Sequence, residues 1–98
     1  MIPIKQLSKR AKNLSDDIIH AKIFFGDEEV EGVIKKKTVD ENIIKVFLSV
    51  SEHKGNITKV EIYDKDGDVV QTQDVEIVKN DHYKFLVVVE IRLENEVL

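Results

Sequence analysis

Tyr83-Lys84-Phe85-Leu86-Val87-Val88-Val89-Glu90-Ile91-Arg92-Leu93 alternates without a break, with Tyr83, Phe85, Val87, Val89, Ile91 and Leu93 at every second position. Side chains of an extended chain point to opposite faces in turn, so this spacing predicts a strand with one wholly apolar face. Midway, Leu86 and Val88 make the other face apolar as well. A strand apolar on both sides is expected in the middle of its sheet, covered twice, with an N-terminal helix as the second cover.

The same period of two reaches back to Ile18. Ile19, Ala21, Ile23 and Phe25 share one face of a first strand, opposite His20 and Lys22, and Gly26-Asp27-Glu28-Glu29 turns the chain. Val30–Lys37 is a weaker strand with Val30, Gly32 and Ile34 on one face; the run Lys35-Lys36-Lys37 reads as protection of an exposed sheet edge. After a turn at Asp40-Glu41-Asn42 comes Ile43–Ser51, with Ile44, Val46, Leu48 and Val50 opposed to Lys45, Ser49 and Ser51. Beyond the loop Glu52–Asn56, Ile57–Tyr63 sets Val60 and Ile62 against Lys59 and Glu61. Asp64-Lys65-Asp66-Gly67 is a hairpin signal, because Asp-Gly supplies the positive φ a tight turn needs. Asp68–Gln73 returns, and Val75–Val78 either continues it or stands as a separate strand.

Before Ile18 the period is helical. Ile4, Leu7, Ala11 and Leu14 recur in steps of three and four, placing them on one face of a helix over residues 3–14, with Pro3 at its start and Ser15-Asp16-Asp17 ending it. About three turns of helix are not stable alone in water, so this one must dock. No helical pattern lies between strands, which excludes parallel βαβ units. The prediction is a mainly β fold, α+β only through its helix: an antiparallel β-sandwich or partly open barrel of six to seven strands with a short N-terminal helix. Residues 1–98 are expected to form a single domain, with the β-domain over 18–93.

The 98 residues carry 15 basic and 19 acidic side chains, a net charge of −4, so nucleic acid is not the expected partner. With no Cys there is no disulfide framework and no thiolate chemistry. Residues 1–14 lack the apolar stretch of a secretory peptide, and the longest apolar run, Phe85–Val89, has five residues against the roughly 20 of a membrane span. A cytoplasmic location in a bacterial cell is the expectation, with no membrane association.

Alternate carboxylates at Asp64, Asp66 and Asp68 are candidate Ca²⁺ ligands, since Ca²⁺ takes several oxygens. The EF-hand spacing is absent, because Gly67 falls fourth from Asp64 and Val75 stands twelfth. A plain hairpin turn is the preferred reading. His20, His53 and His82 match no zinc spacing. Ser8, Ser15, Ser49 and Ser51 sit in no nucleophile elbow, and Gly26, Gly32, Gly55 and Gly67 are too scattered to cradle phosphate. No cofactor, small-molecule substrate or catalytic role is therefore expected. Lys5, Lys9, Arg10 and Lys12 give the helix a basic surface, read first as a solvated face and second as a contact for an acidic partner, nucleic acid included. Phe24 and Phe47 fall on nominally polar strand faces; either the helix covers them, or they belong to a patch for a partner.

Ile57–Val70, running ITKVEIYDKDGDVV, resembles a stretch of bacteriophage tail and tail-fibre-associated proteins, in which a strand leads through an Asp-x-Asp-Gly turn into a returning strand. The resemblance implies a structural role in a virion or prophage assembly and brings no catalytic residue. The functional expectation is a non-enzymatic structural or interaction domain that engages a protein partner or associates with itself. A metal- or ligand-binding β-domain is the alternative, and a weak nucleic-acid binder the second alternative.

Overall fold

A computed structural model describes residues 3–50, 55–79 and 85–94. His53, His82, Ser51 and Tyr83 lie outside the described residues. The elements are α1 (Ile4–Asp17), β1 (Ile18–Phe25), β2 (Glu28–Asp40), β3 (Ile43–Val50), β4 (Gly55–Asp64), β5 (Val69–Lys79) and β6 (Phe85–Arg92). The six strands form one antiparallel sheet in the order β5-β4-β1-β2-β3-β6. Its first four strands follow a Greek-key order, 4-1-2-3. The sheet curls until β5 and β6 meet, where Gln71 Nε2 donates to the Glu90 carbonyl at 3.0 Å. The result is a nearly closed barrel, the second of the two architectures the strand pattern predicts.

β2 makes the curl possible. Its residues Glu28–Gly32 pair with β1, whereas Val33–Asp40 pair with β3. Where it changes partner it carries a bulge between Ile34 and Lys36. A bulge adds a residue to one strand and bends it, which lets a strand leave one sheet for another. Gly32 sits at this corner because there is little room for more: an added Cβ would meet Ile23 Cδ1 at 3.2 Å. The molecule therefore has two halves, β5-β4-β1 with the start of β2, and the end of β2 with β3 and β6.

Both halves turn aliphatic side chains inward to one core. Ala21, Ile23, Val60 and Ile62 from the first half meet Ile44, Val46, Leu48 and Val89 from the second, each at or near zero exposure. α1 lies across the barrel end where β1 begins and β2 gives way to β3. It buries Leu7 and Ala11 there, and Leu14 packs against the same core. Burial of a leucine side chain such as Leu7 contributes roughly 1.5–3 kcal/mol. Ile4, expected on that face, is half exposed.

The helix runs three residues past its expected end at Leu14. Ser15 turns inward and is buried, and the last carbonyls find a donor: Lys37 Nζ bonds to Ser15 O at 2.6 Å and Ile18 O at 2.8 Å. A cation at a helix C-terminus also meets the negative end of the macrodipole. The expectation that Lys35–Lys37 guard a sheet edge is thus corrected. β2 lies between β1 and β3, not at an edge, and Lys37 holds the helix to the barrel.

Further expectations are revised. β6 is at the end of the sheet order rather than its middle, and Val88 is 47% exposed, with no helix over it. Ile19 points outward at 62% exposure, because a register shift between Ile18 and His20 reverses the alternation, so Ile18 is buried instead. A similar shift between Ile57 and Lys59 turns Ile57 inward together with Val60. Val69–Lys79 is one continuous strand, the first of the two alternatives left open for Val75–Val78, whereas Gly55-Asn56 belong to β4 rather than to a loop.

Candidate functional site

The inward residues form a sealed apolar core, and no cavity opens among the described residues. Chemistry available to a partner is therefore on the outside of the strands.

The outer face of the β1–β4–β5 half is stitched by polar contacts. Tyr63 donates from its hydroxyl to Glu61 Oε1 at 2.9 Å, and Thr72 donates to the other carboxylate oxygen at 3.1 Å. Lys22 pairs with Glu29 at 3.2 Å and lies over the Tyr63 ring, 5.5 Å from its centre. The His20 ring lies tilted against the same ring, centroids 5.4 Å apart, and places Nδ1 3.2 Å from Glu31. Residues on four strands are joined in this way, because the antiparallel register sets Glu31, Lys22, Glu61 and Thr72 in one cross-strand row. Burial among these neighbours first, then the hydrogen bond to Glu61 and the negative charge of Glu61, Glu29 and Glu31, push the Tyr63 phenol up to about 12. The sequence shows the individual residues but not their meeting, which depends on β4 returning beside β1.

The outer face of the β2–β3–β6 half is different. Its central row is Lys36, Phe47 and Val88, and the row above places Val33 beside Ser49. Val33 is 53% exposed, Val88 47%. Lys35, Lys36, Lys45 and Arg92 surround this strip. Among the described residues only Arg92 of these four has an ion pair, with Glu90 two positions away on its own strand. Val88 was legible as an apolar residue on the second face of its strand. Val33 falls opposite Val30, Gly32 and Ile34 by alternation, but a single valine on a weak strand carries no signal of a patch.

The two flagged phenylalanines fall on opposite sides of the barrel, one in each outer face. Phe24 is half-buried under the Lys59 ammonium, 4.3 Å from its ring centre; Phe47 is half-buried with Lys36 at 5.9 Å. Lysines on neighbouring strands, rather than α1, lie over both rings. Lys5, Lys9, Arg10 and Lys12 are exposed on α1, as the helical reading requires.

Asp64, Asp66 and Asp68 do come together, each offering an oxygen within 4.8 Å of the others. The turn itself accounts for this. Asp64 Oδ1 accepts from the backbone N–H of Asp66 (2.9 Å) and of Asp68 (3.0 Å), and Gly67 adopts φ +84°. This is an Asx-type closure of a three-residue hairpin loop with glycine in the left-handed region. No helix among the described residues is long and apolar enough to cross a membrane. No protein-family model, curated protein or solved structure matches this chain.

Proposed function

We propose that the protein is a non-enzymatic interaction domain whose contact surface is the outer face of β2, β3 and β6. The observation that carries this reading is the pair of exposed valines, Val33 and Val88, beside the half-buried Phe47 and ringed by lysines without ion partners among the described residues. Apolar groups of this kind gain by leaving water, and free cations at the rim select a partner by sign. On the opposite face Lys22, Glu29, Glu31 and Glu61 are engaged in contacts within the chain. The resemblance of the β4–β5 hairpin to phage tail proteins supports a narrower form of the same reading, a component of a virion or prophage assembly.

The test compares the wild-type protein with Val33→Glu/Val88→Glu as bait in extracts of its source cells, with self-association followed in parallel. The variant is expected to stay folded, because both side chains already face solvent, and to lose every association the wild type makes. Associations that survive intact in the variant would remove this face from consideration.

A further inference from the structure

The occupant of that face can be read from the charges of the molecule itself, given the assignment of β2, β3 and β6 as the contact surface. Among the described residues, the outer side of the β1–β4–β5 half carries Glu29, Glu31, Glu61, Asp74 and Glu76 against Lys22 and Lys59. Among these residues that side is net acidic by three charges, five carboxylates less two ammonium groups. Asp74 and Glu76 are exposed, and Val78, 59% exposed, continues their strand. Among the described residues the other half presents Lys35, Lys36, Lys45 and Arg92 against Asp40 and Glu90, net basic by two, around Val33 and Val88. One barrel therefore carries an acidic face and a basic face on different sides, each with exposed valine.

We propose that the basic β2–β3–β6 face receives the acidic β1–β4–β5 face of a second copy of this chain, so that the protein associates with itself head to tail. Complementary potentials steer such faces together, while basic face against basic face places like charges in contact. A symmetric dimer through either face is accordingly disfavoured. A contact between two different patches repeats from copy to copy and yields a ring if the rotation closes, or a filament if it does not. A polyanion such as nucleic acid would satisfy the lysines but leave Val33 and Val88 against phosphate, so a protein surface carrying its own valine fits better.

Sedimentation of the full chain over a concentration series, at low and at high salt, tests this. Association is expected to rise with concentration and to weaken with salt, as screening shortens the reach of exposed charges. Two charge reversals make the test specific. Lys35→Glu/Lys45→Glu turns the basic face acidic, and Asp74→Lys/Glu76→Lys turns the acidic face basic. None of these four side chains takes part in an ion pair among the described residues. Each variant alone is expected to self-associate about tenfold or more weakly than the wild type, several modest surface terms acting together. An equimolar mixture of the two is expected to restore association, because each altered face now matches the other variant. Val88→Asp, which removes the apolar centre without touching the rim, should also weaken self-association; melting curves confirm that all variants remain folded. A wild type that stays monomeric up to ~1 mM at low salt overturns the proposal. So does a mixture that fails to associate, which would indicate a symmetric contact or another surface. If the wild type is monomeric but still retains an oligonucleotide or an extract partner that Val33→Glu/Val88→Glu loses, self-association falls while the contact face stands.

Discussion

Phe24 and Phe47 occupy comparable places, each midway along a strand and turned to the outside of its half of the barrel. Around Phe24 the neighbouring strands supply Glu29, Lys59 and Asp74 in one row, with the Lys22–Glu29 pair and the Tyr63–Glu61 bond close by. Around Phe47 they supply Lys36 and Val88, and the next row brings Val33. Inside, the halves are alike, since Ile23 and Ile62 on one side and Val46 and Leu48 on the other are fully buried. The lesson is that a shared core does not impose a shared surface. One outer face ties Lys22, Glu29, Glu31 and Glu61 into contacts within the chain and leaves Asp74, Glu76 and Val78 exposed; the other sets lysines without ion partners among the described residues around exposed valines.

The largest effects should be equal across the two halves. Ile62→Ala and Leu48→Ala each remove buried atoms from the same core and are expected to cost about 2–5 kcal/mol in denaturant unfolding. If one half proved far more tolerant, the picture of a single core would break. Next comes Lys37→Met, which leaves the Ser15 and Ile18 carbonyls without their shared donor. A loss of about 1–3 kcal/mol is expected, with faster amide exchange at the end of α1.

Smaller effects should separate the faces. Glu61→Ala removes the acceptor of both Tyr63 and Thr72 and should lower stability by up to about 1 kcal/mol. Val88→Thr changes an exposed side chain and should stay within about 0.5 kcal/mol. Equal costs for the two would dissolve the contrast. The smallest effect is confined to alkaline solution. The Tyr63 phenol holds its proton up to about 12 in the folded protein, against an ordinary 10.0. The folded state therefore binds more proton between these values. Its contribution is full below pH 10 and is lost as pH rises through about 12. Tyr63→Phe should flatten this alkaline decline in the unfolding midpoint. Glu61→Gln should move the phenolate absorbance of Tyr63 back toward lower pH.

Much of the fold was legible residue by residue. Alternation alone places Ala21, Ile23, Ile44, Val46, Leu48, Val60 and Ile62 inward, and they form a large part of the core. The hairpin at Asp64–Gly67 was legible from its turn chemistry. Ile19 lies beside a bulge, where an added residue reverses the alternation, and nothing in the local order of residues marks the reversal. Lys37 differs from the edge reading for another reason: strand order places β2 between β1 and β3, and strand order is not written in a run of lysines. Val88 was read as central cover because two apolar faces look the same whether the second is buried or bare.

The amino-acid order by itself determined which stretches are helix and strand, and which residues face inward along most of each strand. Those follow from the period of the backbone, a property of consecutive residues. Only the tertiary structure decided that β2 serves both halves, that β4 returns beside β1, and that carboxylates gather on one outer face and lysines on the other. These depend on register between strands far apart in the chain. A shift of one residue in pairing sends a side chain to the opposite face without altering the sequence that precedes or follows it.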